Sequence, residues 1–107
     1  MKTLVTSIAE LDRQGAQNGR LYREFLRVPA MSGGLYGLPI GATDTQRPHH
    51  EGEMYYVIRG RARFRAGEED REVSAGSILF VAADVEHRFY DVSEELRVLV
   101  FFAPAES

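Results

Sequence analysis

Two of the three histidines of this chain, His49 and His50, stand beside a run of acids in GATDTQRPHHEGEMYYVIRG (residues 41–60), and the third, His87, lies downstream. His49 and Glu53 are separated by His50, Glu51 and Gly52. In one straight strand, at roughly 3.3 Å rise per residue, they would lie about 13 Å apart, too far to share an ion. A corner through His50, Glu51 and Gly52 brings imidazole and carboxylate together, and glycine permits such a turn. His87 would complete a set of two histidines and one carboxylate. That set, with open positions, suits a divalent first-row metal such as Fe, Mn, Ni or Zn. His50 is expected to point away from His49 along an extended backbone. Glu51 is the alternative carboxylate if the corner is wider.

The elements that must hold these residues belong to one domain. A length of 107 residues, 44% hydrophobic and 27% charged, supports a single core over residues 1–107 and not two. A net charge of −3 disfavours the phosphate contacts of a nucleic-acid protein. The absence of cysteine removes disulfides, thiolate metal sites and cysteine nucleophiles, and is compatible with a reducing compartment. MKTLVTSIAELDRQ reaches Glu10 and Asp12 before any apolar run could serve as a signal peptide or membrane span, so a cytoplasmic location is expected.

Along the chain, Met1 to Thr6 reads as a short strand or tail. Ser7 with Glu10 three residues later fits a capping box opening a brief helix through about Gln14, ended by Gly15 and Asn18-Gly19. Arg20 to Val28 is an edge-like strand stopped by Pro29, Met31 to Gly34 a loop, and Leu35 to Ile40 a further strand. Met54 to Arg59 is apolar on both faces and predicts a strand sandwiched in the core, with Gly60 turning into a clean alternation, Arg61 to Arg65. Its arginines read as a solvated face, and Glu68, Glu69 and Asp70 as a solvated turn. Ser77 to Val81 is predicted as a buried strand, followed by Glu86 to Tyr90 and a last strand, Glu95 to Phe102. Short strands with turn signals and no βαβ unit predict an all-β, antiparallel sandwich or small barrel.

Two motifs resemble those of the small single-domain cupins. Gly41, Arg47, His49, Glu53 and Gly60 keep the spacing of the family's first motif, with Arg47 where its first histidine stands. Gly76, Ala82, Asp84, His87 and Asp91 keep that of the second, where the family has proline, glycine and asparagine at 82, 84 and 91. The resemblance implies an antiparallel jelly-roll β-barrel with a short N-terminal helix, and His49, Glu53 and His87 as metal ligands facing its lumen. Arg47 cannot ligate, because it stays protonated. It either holds a substrate carboxylate or phosphate or points outward from its loop. Tyr55 and Phe89 share parity with Glu53 and His87 and would project inward, with Tyr36, Tyr56 and Phe64 as further wall candidates, either for a small organic ligand or as plain core. The outer apolar face of Tyr56, Ile58, Leu99 and Phe101 needs a cover, from the second sheet or a second subunit, and related small cupins commonly form homodimers there.

Two functions follow from that resemblance. One is a metal-dependent enzyme with oxygenase- or isomerase-like chemistry on a small organic molecule, in which a tyrosine could transfer protons. The other is a non-catalytic barrel that binds or senses a small molecule, a reading favoured by the missing histidine at position 47. Fold alone does not choose between them.

Overall fold

Glu53, Tyr55, Val57, Ala62 and Phe64 are buried while Met54, Tyr56, Arg61 and Arg65 between them are exposed, the period-two signature of a strand with one face in the core. This is one of the two long central strands of a computed structural model that describes residues 3–15, 22–44 and 47–107. Its elements are α1 (Ile8–Gly15), β1 (Tyr22–Val28), β2 (Met31–Leu38), β3 (Gly52–Ala66), β4 (Glu69–Ser74), β5 (Ile78–Val81) and β6 (His87–Ala103).

β3 and β6 are long enough to serve both halves of the barrel. The first half of β3 pairs with β5, Glu53 opposite Val81 and Tyr56 opposite Ile78, and with the far half of β6, Glu53 opposite Phe102. Its second half pairs with β4, Arg61 opposite Ser74, and with the near half of β6, Ala66 opposite His87. β2 adds to β6 and β1 to β2, every pairing being antiparallel. The result is a jelly-roll barrel around Leu38, Tyr55, Val57, Phe89, Leu96 and Val98, each no more than 1% exposed.

Several elements depart from the expectations above. Gly60 makes no hairpin: β3 runs through it, with register shifts on either side and a φ of +102°. A Cβ there would lie 2.3 Å from the Glu95 carbonyl oxygen, so close backbone approach, not chain reversal, requires this glycine. Met31 to Gly34 is strand, not loop. The Tyr22 ring packs on Gly34, where a Cβ would come within 2.5 Å of it, so the glycine surface is filled by aromatic side chains from neighbouring positions. Met54 to Arg59 is not sandwiched, since Met54 is 47% and Tyr56 43% exposed, and in β5 Ile78 and Phe80 are each 68% exposed. The two expected last strands are one, β6, bent at Asp91 with a φ of 49°.

α1 begins as its sequence dictates: the Ser7 hydroxyl accepts from the Glu10 amide at 3.2 Å. The Glu10 carboxylate takes the Thr6 hydroxyl instead of returning to Ser7, so only half of the capping box forms. Asp12 ties the helix to Arg97 and Arg59 on the outside of the barrel. Residues 3–6 form no strand. Met1, Lys2, the expected stop at Asn18-Gly19, and Arg20 and Leu21 at the start of the edge strand lie outside the described residues. Among the described residues no helix is long and apolar enough to cross a membrane.

Candidate metal centre

Three elements deliver the three candidate ligands. Glu53 projects from the buried face of β3, His87 opens β6, and His49 comes from the connection that bends at His50 and Glu51 before β3 begins. The corner is held from outside. Asp84, at φ 65°, donates its amide to the His49 carbonyl at 2.7 Å, and its carboxylate meets His50 Nδ1 at 2.9 Å on the surface. His50 thus points away from the centre, as expected, held on the surface by Asp84 at the bend.

One ligand atom from each of His49, Glu53 and His87 falls within 4.8 Å of the others. His87 Nε2 is 2.6 Å from Glu53 Oε1, and His49 Nε2 is 4.0 Å from Glu53 Oε2. The side chains of Glu53 and His87 are 1% and 0% exposed, and that of His49 is 18% exposed.

Each imidazole is oriented from behind. His87 Nδ1 lies 2.9 Å from the Val85 carbonyl, which only accepts, so Nδ1 carries the proton and Nε2 faces inward. His49 Nδ1 lies 3.1 Å from Glu106 Oε2, leaving its Nε2 toward Glu53. Such support fixes tautomer and ring orientation in metal sites. Burial pulls the His87 imidazole down, but bonding to Glu53 and to the Val85 carbonyl outweighs it, and its pKa is raised. Burial also raises the Glu106 carboxyl, against the pull of His49.

The residues fit a metal ion. Both Glu53 oxygens are buried without a properly aligned hydrogen bond, although one lies 2.6 Å from a ring nitrogen. With His87 Nδ1 committed to Val85, a lone pair of Nε2 and a carboxylate oxygen face each other. Two acceptors at that distance need a cation between them, a proton or a metal.

The other expected residues fall in different places. Tyr55 is buried beside the centre, its hydroxyl 3.2 Å from His87 Nε2. Phe89 is fully buried, edge-on to Tyr55 at 5.2 Å and against Phe64 at 4.8 Å. The Tyr36 hydroxyl donates to Asp44 at 2.8 Å, and burial followed by that bond raises its pKa. Arg47 is exposed. Tyr56 belongs to the outer face, not the wall. Glu51 is buried but lies outside the ligand group and accepts the Ser107 amide at 3.1 Å. Arg61, Arg63 and Arg65 are paired with acids instead of merely solvated, and Asp70 joins them with Tyr90.

Sequence reasoning missed two residues. Asp44 is buried and accepts from both the Tyr36 hydroxyl and the Phe89 amide, each at 2.8 Å, pinning the connection that precedes His49. Glu106 lies 57 positions from His49, beyond any local spacing signal. Between β4 and β5, which pair with different lengths of β3, a groove of about 400 Å³ opens against Phe64, Val73, Leu79, Val81 and Val85.

A jelly-roll barrel with histidines and a glutamate gathered on its interior is the architecture of the cupins. The chain belongs to that family: residues 34–102 match its cupin domain. An uncharacterized protein of Streptomyces coelicolor is 48% identical over 98 residues, covering 92% of this chain and 93% of its own. A solved structure from Bacillus halodurans superposes with a TM-score of 0.77 at 17% identity, over 96% of this chain and 82% of that one. The DMSP lyase DddQ of Ruegeria pomeroyi gives a TM-score of 0.66 at 19% identity over 71% of this chain, which spans only 39% of the lyase. At these identities the two structures share the fold.

Proposed function

We propose that this cupin is a metal-dependent enzyme acting on a small organic molecule, with one divalent first-row metal held by His49, Glu53 and His87. The observation that supports this most is the buried Glu53 carboxylate, whose two oxygens lack aligned donors and face two Nε2 atoms. When bound, the metal supplies a Lewis-acid or redox centre with open positions, compatible with oxygenase- or isomerase-like reactions. The chain's own residues do the rest. Val85 and Glu106 set the rings, while the buried Tyr55 hydroxyl lies beside the ligand group and, with His87 Nε2 given to the metal, can hold or pass a proton near the substrate. Phe64 and Phe89 exclude water from that side. The groove beside Phe64 and Val81 has a volume suited to a small ligand. Arg47, exposed ahead of His49, can orient an anionic group on entry. The working location of this reading is the cytoplasm, with no nucleic-acid or membrane partner.

Elemental analysis of protein purified without chelator, beside His49→Ala and His87→Ala, tests the reading. About one metal per chain, lost in both variants, is expected. Wild-type protein that stays empty after reconstitution with Mn, Fe, Ni and Zn would sink it.

A second reading is a barrel that binds or senses a small molecule without turnover. It is favoured by Arg47, which stands where a fourth ligand would be and is exposed. Saturable ligand binding that is indifferent to metal separates it from the first reading.

A further inference from the structure

Residues 105–107 fold back onto the barrel. The Glu106 amide donates to the Ser32 hydroxyl at 2.9 Å, its carbonyl accepts from Arg27 at 2.8 Å, and the Ser107 amide donates to Glu51 at 3.1 Å. The Ala105 amide reaches the Pro29 carbonyl at 3.3 Å. The segment is therefore strapped across β1, β2 and the corner of the site by its own backbone. The Glu106 side chain, itself only 24% exposed, is left to meet His49 Nδ1.

We infer that Glu106 is a positioning residue that fixes His49 as its Nδ1–H tautomer, so that the terminal strap and the metal strengthen one another. This rests on the three-ligand reading above and extends it to the tail. The neutral imidazole ordinarily has no reason to protonate Nδ1. A carboxylate at 3.1 Å supplies one, because it accepts and cannot donate when ionised. Val85 performs the same task for His87 from within its own turn. His49 is met instead by a residue 57 positions away in sequence. Because a strap that favours the ligating tautomer raises metal affinity, bound metal must hold the strap by the same factor.

The test is zinc titration of the full chain against a chromophoric chelator, together with long-range ¹H–¹⁵N spectra of the histidines in metal-free protein in mildly alkaline buffer. Glu106→Ala is expected to lower zinc affinity about 10- to 100-fold and to move His49 from Nδ1–H to Nε2–H. Glu106→Gln, whose amide oxygen still accepts, should keep the tautomer and most of the affinity. Arg27→Ala, which loosens the strap without touching the carboxylate, should lose affinity in the same direction but less. Hydrogen exchange at the Glu106 and Ser107 amides should slow when zinc is added. Wild-type tautomer and affinity in Glu106→Ala would overturn the inference. If wild type binds neither zinc nor Mn, Fe or Ni, the metal reading fails, and loss of the Nδ1–H signal in Glu106→Ala still upholds the positioning role.

Discussion

At the scale of single residues, the centre holds a buried carboxylate whose close partner is the His87 imidazole, 2.6 Å away but out of hydrogen-bond alignment. Glu53 has neither oxygen in an aligned hydrogen bond, and burying such a group is costly. Glu53→Gln is therefore expected to abolish metal binding while leaving the metal-free protein at least as stable as wild type, read as metal content and as the urea midpoint. Asp44 is the opposite case, a buried carboxylate with good donors. Asp44→Ala strands the Tyr36 hydroxyl and the Phe89 amide, and should cost about 3 kcal/mol by denaturant unfolding. Asp44→Asn, which keeps an acceptor, should cost visibly less. Equal losses for the two would show that the connection is not pinned by acceptance.

At the scale of elements, positive-φ positions are where the chain bends around the site. Asp84 and Asp91, at φ 65° and 49°, are the two non-glycine residues with positive φ among those described, and they occupy the second-motif positions where cupins carry glycine and asparagine. Aspartate tolerates that region better than most residues, so the backbone is kept although the identities change. Gly60 and Gly76 separate strain from crowding. Gly60→Ala puts a Cβ 2.3 Å from a carbonyl oxygen and should lower stability by about 3 kcal/mol or more, whereas Gly76, at φ +94° with nothing within 4 Å, should lose only about 1 kcal/mol on substitution by alanine. Comparable urea midpoints for the two variants would contradict this.

The start of β4 carries a pH dependence. The Tyr90 hydroxyl foremost holds the Asp70 carboxyl below its ordinary value of 3.8, against desolvation and with help from the Arg63 guanidinium. A carboxylate lowered by folding stabilises above its unfolded value, and that contribution disappears as pH falls through the folded one. Asp70→Asn should thus flatten the melting temperature against pH below about 4, and leave the slope near neutrality unchanged.

At the scale of the whole molecule, the outer face of the β5–β3–β6 sheet is unusually apolar. Paired rows place Phe101, Met54 and Phe80 side by side, and Leu99, Tyr56 and Ile78 beside them. Four of these six are 43–68% exposed, Met54, Tyr56, Ile78 and Phe80, while α1 and its Asp12 bridges lie toward Arg59 and Arg97. We propose that a second copy of the chain covers this face, forming a homodimer. Light scattering is expected to give twice the chain mass for wild type and the chain mass for Tyr56→Glu with Phe80→Glu. A monomeric wild type at micromolar concentration would remove the proposal.

The alternation of Ala62 and Phe64 with arginines, the turn residues and the two spaced motifs were enough to read an antiparallel barrel and to select His49, Glu53 and His87, because side-chain parity and ligand chemistry are local properties. Strand extents were not legible. Gly60 reads as a turn until Glu95 is seen pressed against it, and Gly33-Gly34 reads as a loop until Tyr22 and Phe101 are seen covering it. Apolar runs at Met54 to Arg59 and Ser77 to Val81 could not reveal which face lacks a covering layer, since that depends on where α1 and the sheet edges end. Glu106 behind His49 and Asp44 behind Phe89 join positions far apart in the chain. Only the closed barrel brings them together, because register and strap contacts are set by tertiary packing and leave no local period in the sequence.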